Sequence, residues 1–434
     1  MPLRAGILTL GCKVNQYESR AMAELLRAEG IQICPFDTVC DLYLIHSCTV
    51  TAESDRKVRQ MIRRAVKRNP AAVVAVCGCA VQKDPAALAS IQGVSLLCGN
   101  GRKTELIRAA IEQLHRGKPQ KPVLLCGPLD QLPYESMSIT GFDRVRAYVK
   151  IEDGCSARCA YCIIPSVRGP VRSRPASEVL AEIETLLENG CREVILTGIE
   201  TAAYQYGLAG LMEQIDQMEG IERIRLSSMD PAALKPELID RIAALTHFMP
   251  HFHVSLQSGS SRTLAGMRRR YNAQTAMEHL RYIRQIMPQV QFSADVIVGF
   301  PGETDEDFAQ TMDFITEIPF LHLHIFPYSR RPGTEAADMP GQIAQNVKAT
   351  RAAQLATRGQ AVRDALLSAR LADGSPLTVL AEEKKGNFIY GHSEAFFECR
   401  MECTSPQEED LRGQLIRVLP VSAADGVLCV RPLT

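Results

Sequence analysis

Six strand-like runs between residues 147 and 326 constrain this chain most: Ala147 to Glu152, Glu193 to Leu196, Arg223 to Leu226, Phe252 to Leu256, Phe292 to Val298 and Leu321 to Phe326. Stretches of helical period separate them, as in 176–189 and 304–317. Strands that alternate with helices form a parallel α/β unit. Six such units can close as a doubly wound sheet or as a partial barrel, and the pattern alone leaves both open. In either, ligands gather at the carboxyl ends of the strands.

Residues 5–115 repeat the alternation on a smaller scale, with runs Ile7 to Leu10, Leu42 to Ile45, Val73 to Val76 and Val94 to Leu97. One helix carries Met22, Leu25 and Leu26 and stops at Gly30; the next carries Val58, Met61, Ile62 and Ala65 before Pro70. This predicts a parallel α/β domain over 1–115. Cys12, Cys48 and Cys79 each fall just after a strand of it. Periodicity fades over 116–143, where GKPQKP and GPLDQLPYESMSITG read as a linker. The central unit then spans 144–371 and ends in a long helix over 342–371. Within 372–434 the period shortens to five strands, Leu377 to Glu382, Asn387 to His392, Phe396 to Glu402, Gln414 to Leu419 and Val427 to Arg431. That count fits a small all-β barrel of oligonucleotide-binding shape. A chain of 434 residues at roughly 150 per domain agrees with three domains.

The 15 cysteines cannot all be paired, because their number is odd. No apolar run is long enough for a secretory core or a bilayer span, so the chain reads as cytoplasmic, where thiols stay reduced and serve as ligands or as small buried hydrophobes. The second reading applies to Cys34, Cys40, Cys98, Cys126, Cys191, Cys399, Cys403 and Cys429. The net charge of zero argues against binding nucleic acid through the overall field. Two local segments are basic: Arg56, Lys57, Arg59, Arg63, Arg64, Lys67 and Arg68, and then Arg144, Arg146, Lys150, Arg158, Arg168, Arg172 and Arg174. Each is a candidate phosphate-facing patch, the second more so than the first. His322 and His324 alternate on the last barrel strand and read as satisfied core histidines.

The sharpest local signal is Cys155-x3-Cys159-x2-Cys162 directly after a strand. A cubane iron–sulfur cluster has four irons, so three protein thiolates leave one iron open to a small molecule. Zinc would want a fourth ligand, and three incidental buried cysteines are the remaining alternative.

With Tyr161 before its last cysteine, the triplet resembles that of the radical S-adenosylmethionine enzymes. Gly11-Cys12-Lys-Val-Asn-Gln, Ser47-Cys48-Thr-Val-Thr and Gly78-Cys79-Ala-Val-Gln are similar to the ligand segments of their methylthiotransferase subfamily. So, in order, are Leu196-Thr-Gly, Arg225-Leu-Ser-Ser, Val254-Ser-Leu-Gln-Ser-Gly-Ser, Met267-Arg-Arg-Arg-Tyr271, Asp295-Val-Ile-Val-Gly-Phe-Pro-Gly-Glu-Thr and Phe326-Pro-Tyr-Ser-Arg-Arg-Pro-Gly-Thr. Nearly the whole chain is covered. Four segments depart from the usual pattern without removing a ligand: His46 for asparagine, Ala80-Val81 after Cys79, the loop Ile199 to Tyr204, and Cys77 flanking Cys79.

The resemblance implies an α/β protein with an amino-terminal methylthiotransferase domain, a central partial (β/α)6 radical barrel and a carboxy-terminal TRAM-like barrel that binds RNA. It implies two [4Fe–4S] clusters, one on Cys155, Cys159 and Cys162 and one on Cys12, Cys48 and Cys79, with S-adenosylmethionine near Tyr161, Thr197, Gly198, Ser227, Ser228, Ser255, Gln257 and Asp295. Replacing an aromatic C–H by C–S needs a hydrogen that no side-chain base removes as a proton, so the cofactors carry the chemistry. No side chain is expected to act as acid or base. One cluster would cleave S-adenosylmethionine to a radical that abstracts the hydrogen, and the other would hold the sulfur. A low-potential donor such as a flavodoxin or ferredoxin would supply the electron.

Gly-Cys-Lys-Val-Asn-Gln and His253-Val-Ser-Leu-Gln most resemble the branch acting on N6-threonylcarbamoyladenosine at tRNA position 37, beside the anticodon. The alternatives are isopentenyladenosine in tRNA, an aspartate of a ribosomal protein, or an iron–sulfur RNA-binding protein without catalysis. No membrane partner is expected.

Overall fold

The computed structural model describes residues 2–142, 145–403 and 411–433. Its first sheet contains β1 (Arg4–Thr9), β2 (Gln32–Cys34), β3 (Leu42–Ser47), β4 (Val73–Gly78), β5 (Leu96–Cys98) and β6 (Val123–Leu125) in the order β2-β1-β3-β4-β5-β6. All neighbours pair in parallel. The central strands β3 and β4 are buried along their whole length, as strands covered by helices on both faces must be. Two strands depart from expectation. β2 was not anticipated, and β6 lies inside the stretch read as linker. Both are three-residue edge strands, too short to show a period.

The central unit carries β7 (Ala147–Lys150), β8 (Glu152–Asp153), β9 (Arg172–Ser173), β10 (Glu193–Thr197), β11 (Arg223–Leu226), β12 (His251–Gln257), β13 (Gln291–Val298) and β14 (His322–Pro327). Two parallel sheets, β7-β10-β11 and β12-β13-β14, are joined by parallel bridges Ile224 to Phe248 and Met229 to Val254. The strands thus follow one another in chain order around a partial six-stranded barrel, which decides against a doubly wound sheet. The expected strand over 147–152 is two elements: β8 leaves the barrel and pairs antiparallel with β9, closing the cysteine segment into a hairpin. Thr304 caps the helix Asp305–Glu317 in a reciprocal box with Asp307.

Alternation along the barrel strands sends Val194, Leu196, Phe252, Val254, Phe292, Ala294 and Val296 outward into the main core. It leaves a polar lumen with Glu193, Arg223, Arg225, His251, His253, Asp295, His322 and His324. His322 and His324 are therefore not core histidines; Leu323 and Ile325, which alternate with them, face the core, and His324 is exposed.

After the helix Gln345–Asp373, β15 (Leu377–Lys385), β16 (Phe388–Ser393), β17 (Glu398–Glu402), β18 (Leu415–Ala424) and β19 (Val427–Pro432) close into a barrel in the order β15-β16-β17-β19-β18. It plugs the amino-terminal end of the central barrel. Arg223 donates to the carbonyls of His392 (3.2 Å) and Thr378 (2.5 Å), and Arg225 to those of Glu394 (3.0 Å) and Ser393 (2.9 Å). Phe396 stacks on His251 with ring centroids 4.5 Å apart and lies 5.0 Å from the Arg225 guanidinium. No helix among the described residues is long and apolar enough to cross a membrane.

The second basic segment is not a phosphate-facing patch. Arg146 pairs with Glu193 and Glu382, Lys150 with Glu18 and Asp153, Arg168 with Asp153, and Arg174 with Glu182. Arg172 donates to the Arg168 carbonyl. Arg158 is exposed, and Arg144 lies outside the described residues. Arg146, Lys150, Arg168 and Arg174 are interior ties between domains, through Glu382, Glu18, Asn15 and Tyr17 respectively.

Candidate active site

The segment after β8 brings Cys155, Cys159 and Cys162 to the wall of one cavity of about 140 Å³ at the barrel mouth. Backbone contacts hold the segment: Cys155 N–H donates to Gly169 (3.0 Å), Ala160 N–H to Met267 (3.0 Å) and Cys162 N–H to Cys159 (3.0 Å). Burial pushes the Cys162 thiol up to about 11. Burial, then the Glu200 carboxylate that accepts its S–H at 3.1 Å, raises Cys155 strongly. Such thiols keep their protons unless a metal cation replaces them, because a coordinating thiol is deprotonated outright. Arg269 supplies compensating charge, with Nη1 3.3 Å from Cys159 Sγ and 3.4 Å from the Tyr161 hydroxyl, and Nη2 2.9 Å from Asp230. Its buried Nε has no partner among the described residues. Three sulfur donors, no fourth cysteine in the cavity wall and an under-used cation fit an anionic iron–sulfur group with one open iron.

The second set lies on the amino-terminal sheet. Cys12 precedes the helix Lys13–Ala28, Cys48 follows β3, and Cys79 opens the helix Cys79–Lys83 after β4. Each of the three thiols lies within electrostatic reach of the others. Cys77 instead sits in the sheet core beside Cys98 and Lys103. Gly11 has φ +116°, and a Cβ there would come within 3.0 Å of Cys48 Cβ and 2.8 Å of Asn15 Nδ2, so the turn needs glycine. Among the described residues no three His, Cys, Asp or Glu side chains close on one ion-sized point.

Buried contacts tie the two sets together. The helix Ile164–Arg168, just beyond Cys162, packs Ile163 and Val167 against Cys79. Asn100 donates to the Val167 carbonyl (2.7 Å) and to Cys79 Sγ (3.5 Å). Arg168 is fully buried, bonded to Asp153 Oδ1 (2.7 Å) and Asn15 Oδ1 (2.5 Å), and its charge reaches both Cys12 and Cys79. Glu18 joins Lys103 (3.2 Å) and Lys150 (2.6 Å) in the same network. His46 is buried beneath it; burial lowers it to about 3, leaving a neutral ring whose Nδ1 meets Ser19 Oγ at 2.9 Å.

Of the residues expected near S-adenosylmethionine, Tyr161, Ser228, Ser255 and Gln257 line the mouth cavity. Gln257 adopts φ 63° at a register shift between β12 and β13, a strained placement for a residue with a side chain. Thr197, Gly198 and Ser227 form the layer behind. The Thr197 carbonyl accepts from Ile151 (2.9 Å), Ser227 Oγ meets Thr201 Oγ1 (2.8 Å), and a Cβ on Gly198 would lie 2.6 Å from Glu152 Oε2. Asp295 stands outside the cavity, lower in the lumen, 3.1 Å from His253 Nε2.

Sequence reasoning missed Glu200 and Glu152. Burial raises the Glu152 carboxyl to about 8; its Oε2 accepts the N–H groups of Ile199 and Glu200, both at 2.8 Å, and so fixes the loop bearing Glu200. The Leu-Thr-Gly motif located this loop but not its carboxylates.

A chain-order partial barrel with three thiols at its mouth has the architecture of the radical S-adenosylmethionine enzymes. The model of the radical SAM superfamily matches residues 149–315, and that of the uncharacterized protein family UPF0004 matches 4–99. The threonylcarbamoyladenosine tRNA methylthiotransferase MtaB of Bacillus subtilis (strain 168) is 36% identical over 424 residues, covering 94% of this chain and 92% of the relative. The tRNA-2-methylthio-N(6)-dimethylallyladenosine synthase of Desulfitobacterium hafniense (strain Y51) is 34% identical over 374 residues, 82% of each chain. Among solved structures, the radical S-adenosylmethionine methyltransferase TsrM of Kitasatospora setae superposes with a TM-score of 0.58 at 15% identity, covering 78% of this chain and 74% of that one. It shares the fold. The chain belongs to the radical S-adenosylmethionine methylthiotransferase family.

Proposed function

We propose that this protein converts the C2–H of N6-threonylcarbamoyladenosine, beside the anticodon of a tRNA, into C2–SCH3. The observation that carries this reading is a pair of thiol sets whose segments are tied by Asn100 and Arg168. Cys155, Cys159 and Cys162 would hold one [4Fe–4S] cluster, and Cys12, Cys48 and Cys79 the other. When bound, the clusters and S-adenosylmethionine supply radical hydrogen abstraction and the transferred sulfur. The chain's own part is to set the two sulfur-rich sites apart and to counter their charge with Arg269 and Arg168. It also excludes water at the barrel's lower end, where the third domain sits. Relatives at 36% identity named for the threonylcarbamoyl substrate support that choice over the isopentenyl one. The electron donor would be a low-potential flavodoxin or ferredoxin, and the reaction would take place in the cytoplasm.

Mass analysis of tRNA nucleosides and ribosomal proteins from a deletion strain tests the assignment. Loss of 2-methylthio-N6-threonylcarbamoyladenosine alone is the expected result. Loss of the isopentenyl product, or of a modified ribosomal aspartate, would replace it. Replacing Cys12, Cys48 and Cys79 together by alanine should lower reconstituted iron from about eight to about four per chain, as expected for one cubane of two; iron that stays near eight sinks this second site.

The five-stranded barrel and the first basic segment are the surfaces offered to RNA. In the helix Ala52–Arg68, Val58, Ile62 and Ala65 face the core, while Arg56, Lys57, Arg59, Arg63, Arg64 and Lys67 are exposed on the other side. Arg56 pairs with Glu53 and Arg68 caps the Phe36 carbonyl, but Lys57, Arg59, Arg63, Arg64 and Lys67 make no ion pair among the described residues. Substituting Arg63, Arg64 and Lys67 by alanine should flatten the slope of log affinity for tRNA against log salt by about two, at about 0.7–0.9 per phosphate contact. An unchanged slope would mean that this face is merely solvated.

A further inference from the structure

Lys13 follows Cys12 directly and opens the helix Lys13–Ala28. Its charge lies within electrostatic reach of Asp295, Arg146 and Arg225, residues of the central barrel's lumen. From the other side, its charge is felt by His251 and His324. Among the described residues it makes no hydrogen bond or ion pair. The other lumen cations do have partners: Arg146, Arg223 and Arg225 converge on Glu193. Asp295, the carboxylate facing Lys13, is taken by His253 at 3.1 Å.

The lumen wall that the Lys13 charge reaches is accessible at His324. β14 is an edge strand, and its lumen-facing residues His324 and Phe326 are exposed, Phe326 by 47%. His324 lies 5.3 Å from His253, ring to ring. Ser255 and Gln257 continue the same face of β12 upward from His253 into the cavity walled by Cys155, Cys159 and Cys162. Lys13 therefore follows one thiol of the amino-terminal set and reaches the lumen face that rises through Ser255 and Gln257 to the other set, with the exposed His324 and Phe326 of β14 as an aromatic platform of the kind on which bases stack.

We propose that Lys13 is a specificity-determining residue that binds a carboxylate carried by the N6 substituent of the target adenosine. The inference rests on the function proposed above and adds the group that reads the substrate. The physical reason is the unpaired charge. An apolar substituent in this lumen would desolvate Lys13 and the His253–Asp295 pair without giving Lys13 a partner, which is costly. A substituent ending in a carboxylate instead completes a charge-assisted hydrogen bond, among the stronger polar contacts available. The same lumen thus favours an amino-acid-bearing adenosine over a hydrocarbon-bearing one by both attraction and rejection.

The test uses the full chain, reconstituted anaerobically, and three anticodon stem–loop RNAs bearing threonylcarbamoyladenosine, its methyl ester, or plain adenosine. Affinity is read by fluorescence anisotropy and iron content is measured in parallel. The wild type should bind the free carboxylate about 10- to 100-fold more tightly than the ester, the range of a hydrogen bond to a charged group. Lys13→Gln should reduce that preference to within about threefold, and Lys13→Arg should restore part of it. His324→Glu, remote in sequence from every cysteine of the two sets, should lower the preference by offering Lys13 an internal partner, so the test does not depend on the residue next to Cys12. A full preference retained in Lys13→Gln with wild-type iron, or unchanged in His324→Glu, would overturn the assignment. If the wild type instead methylthiolates only isopentenyl RNA, the functional reading itself fails, which the product analysis shows separately.

Discussion

Enzyme in which Cys155, Cys159 and Cys162 are all alanine should release no 5′-deoxyadenosine from S-adenosylmethionine under reducing conditions, while its iron falls from about eight to about four per chain. The effect is expected to be complete because all three thiols belong to one cavity. No fourth cysteine lines that wall to take over. The backbone bonds that shape the segment, from Cys155 to Gly169 and from Ala160 to Met267, do not involve the sulfurs, so the fold should persist. Affinity for tRNA should persist as well, since the exposed basic helix and the five-stranded barrel are unaltered. Wild-type protein that carries full iron yet yields no 5′-deoxyadenosine would instead favour an RNA-binding protein without catalysis.

The largest effect on stability is expected at Glu193. It is fully buried, with Arg146 Nε at 2.8 Å, Arg225 Nε at 3.0 Å and Arg223 Nη1 at 3.5 Å. Arg223 and Arg225 in turn hold the backbone of the five-stranded barrel. Glu193→Ala leaves buried guanidinium groups without their counter-ion, a change that costs about 3–5 kcal/mol. Calorimetry should show the docked barrel melting earlier, and limited proteolysis should cut near the end of the helix Gln345–Asp373. A melting profile like that of the wild type would show that water or neighbouring groups compensate. The pH dependence has a definite sign. Burial alone would raise this carboxyl, but Arg225, Arg146 and Arg223 outweigh it and hold it at about 2 against an ordinary 4.5. The unfolded chain therefore binds the proton first as pH falls. The stabilisation is complete above about 4.5 and is lost between there and about 2. Glu193→Gln should flatten stability across that window.

Local patterns carried much of the architecture. The alternation of strand and helix marked the parallel units, and the shortened period after residue 372 marked the five-stranded barrel. β2 and β6 escaped notice because three residues hold no period. The second basic segment misled for a different reason. An arginine that pairs inside the protein reads the same as one that faces phosphate, and the partners of Arg146 and Lys150 include residues as remote as Glu382 and Glu18. His322 and His324 misled similarly, since alternation assigns them a common face but does not say which face is the core.

The sequence by itself determined which residues can bear the chemistry, because ligand type and spacing are local: Cys155-x3-Cys159-x2-Cys162 needs only a few residues of one loop, and Cys12, Cys48 and Cys79 each mark the end of a strand. Only the tertiary structure decided that six strands follow chain order around a barrel, that Asn100 and Arg168 link the segments bearing the two thiol sets, and that Glu200 and Arg269 are the charges at the cavity walled by Cys155, Cys159 and Cys162. The physical reason is distance along the chain. A charge acts through space, and the partners that neutralise it or leave it free to meet a substrate are brought together only when remote segments pack.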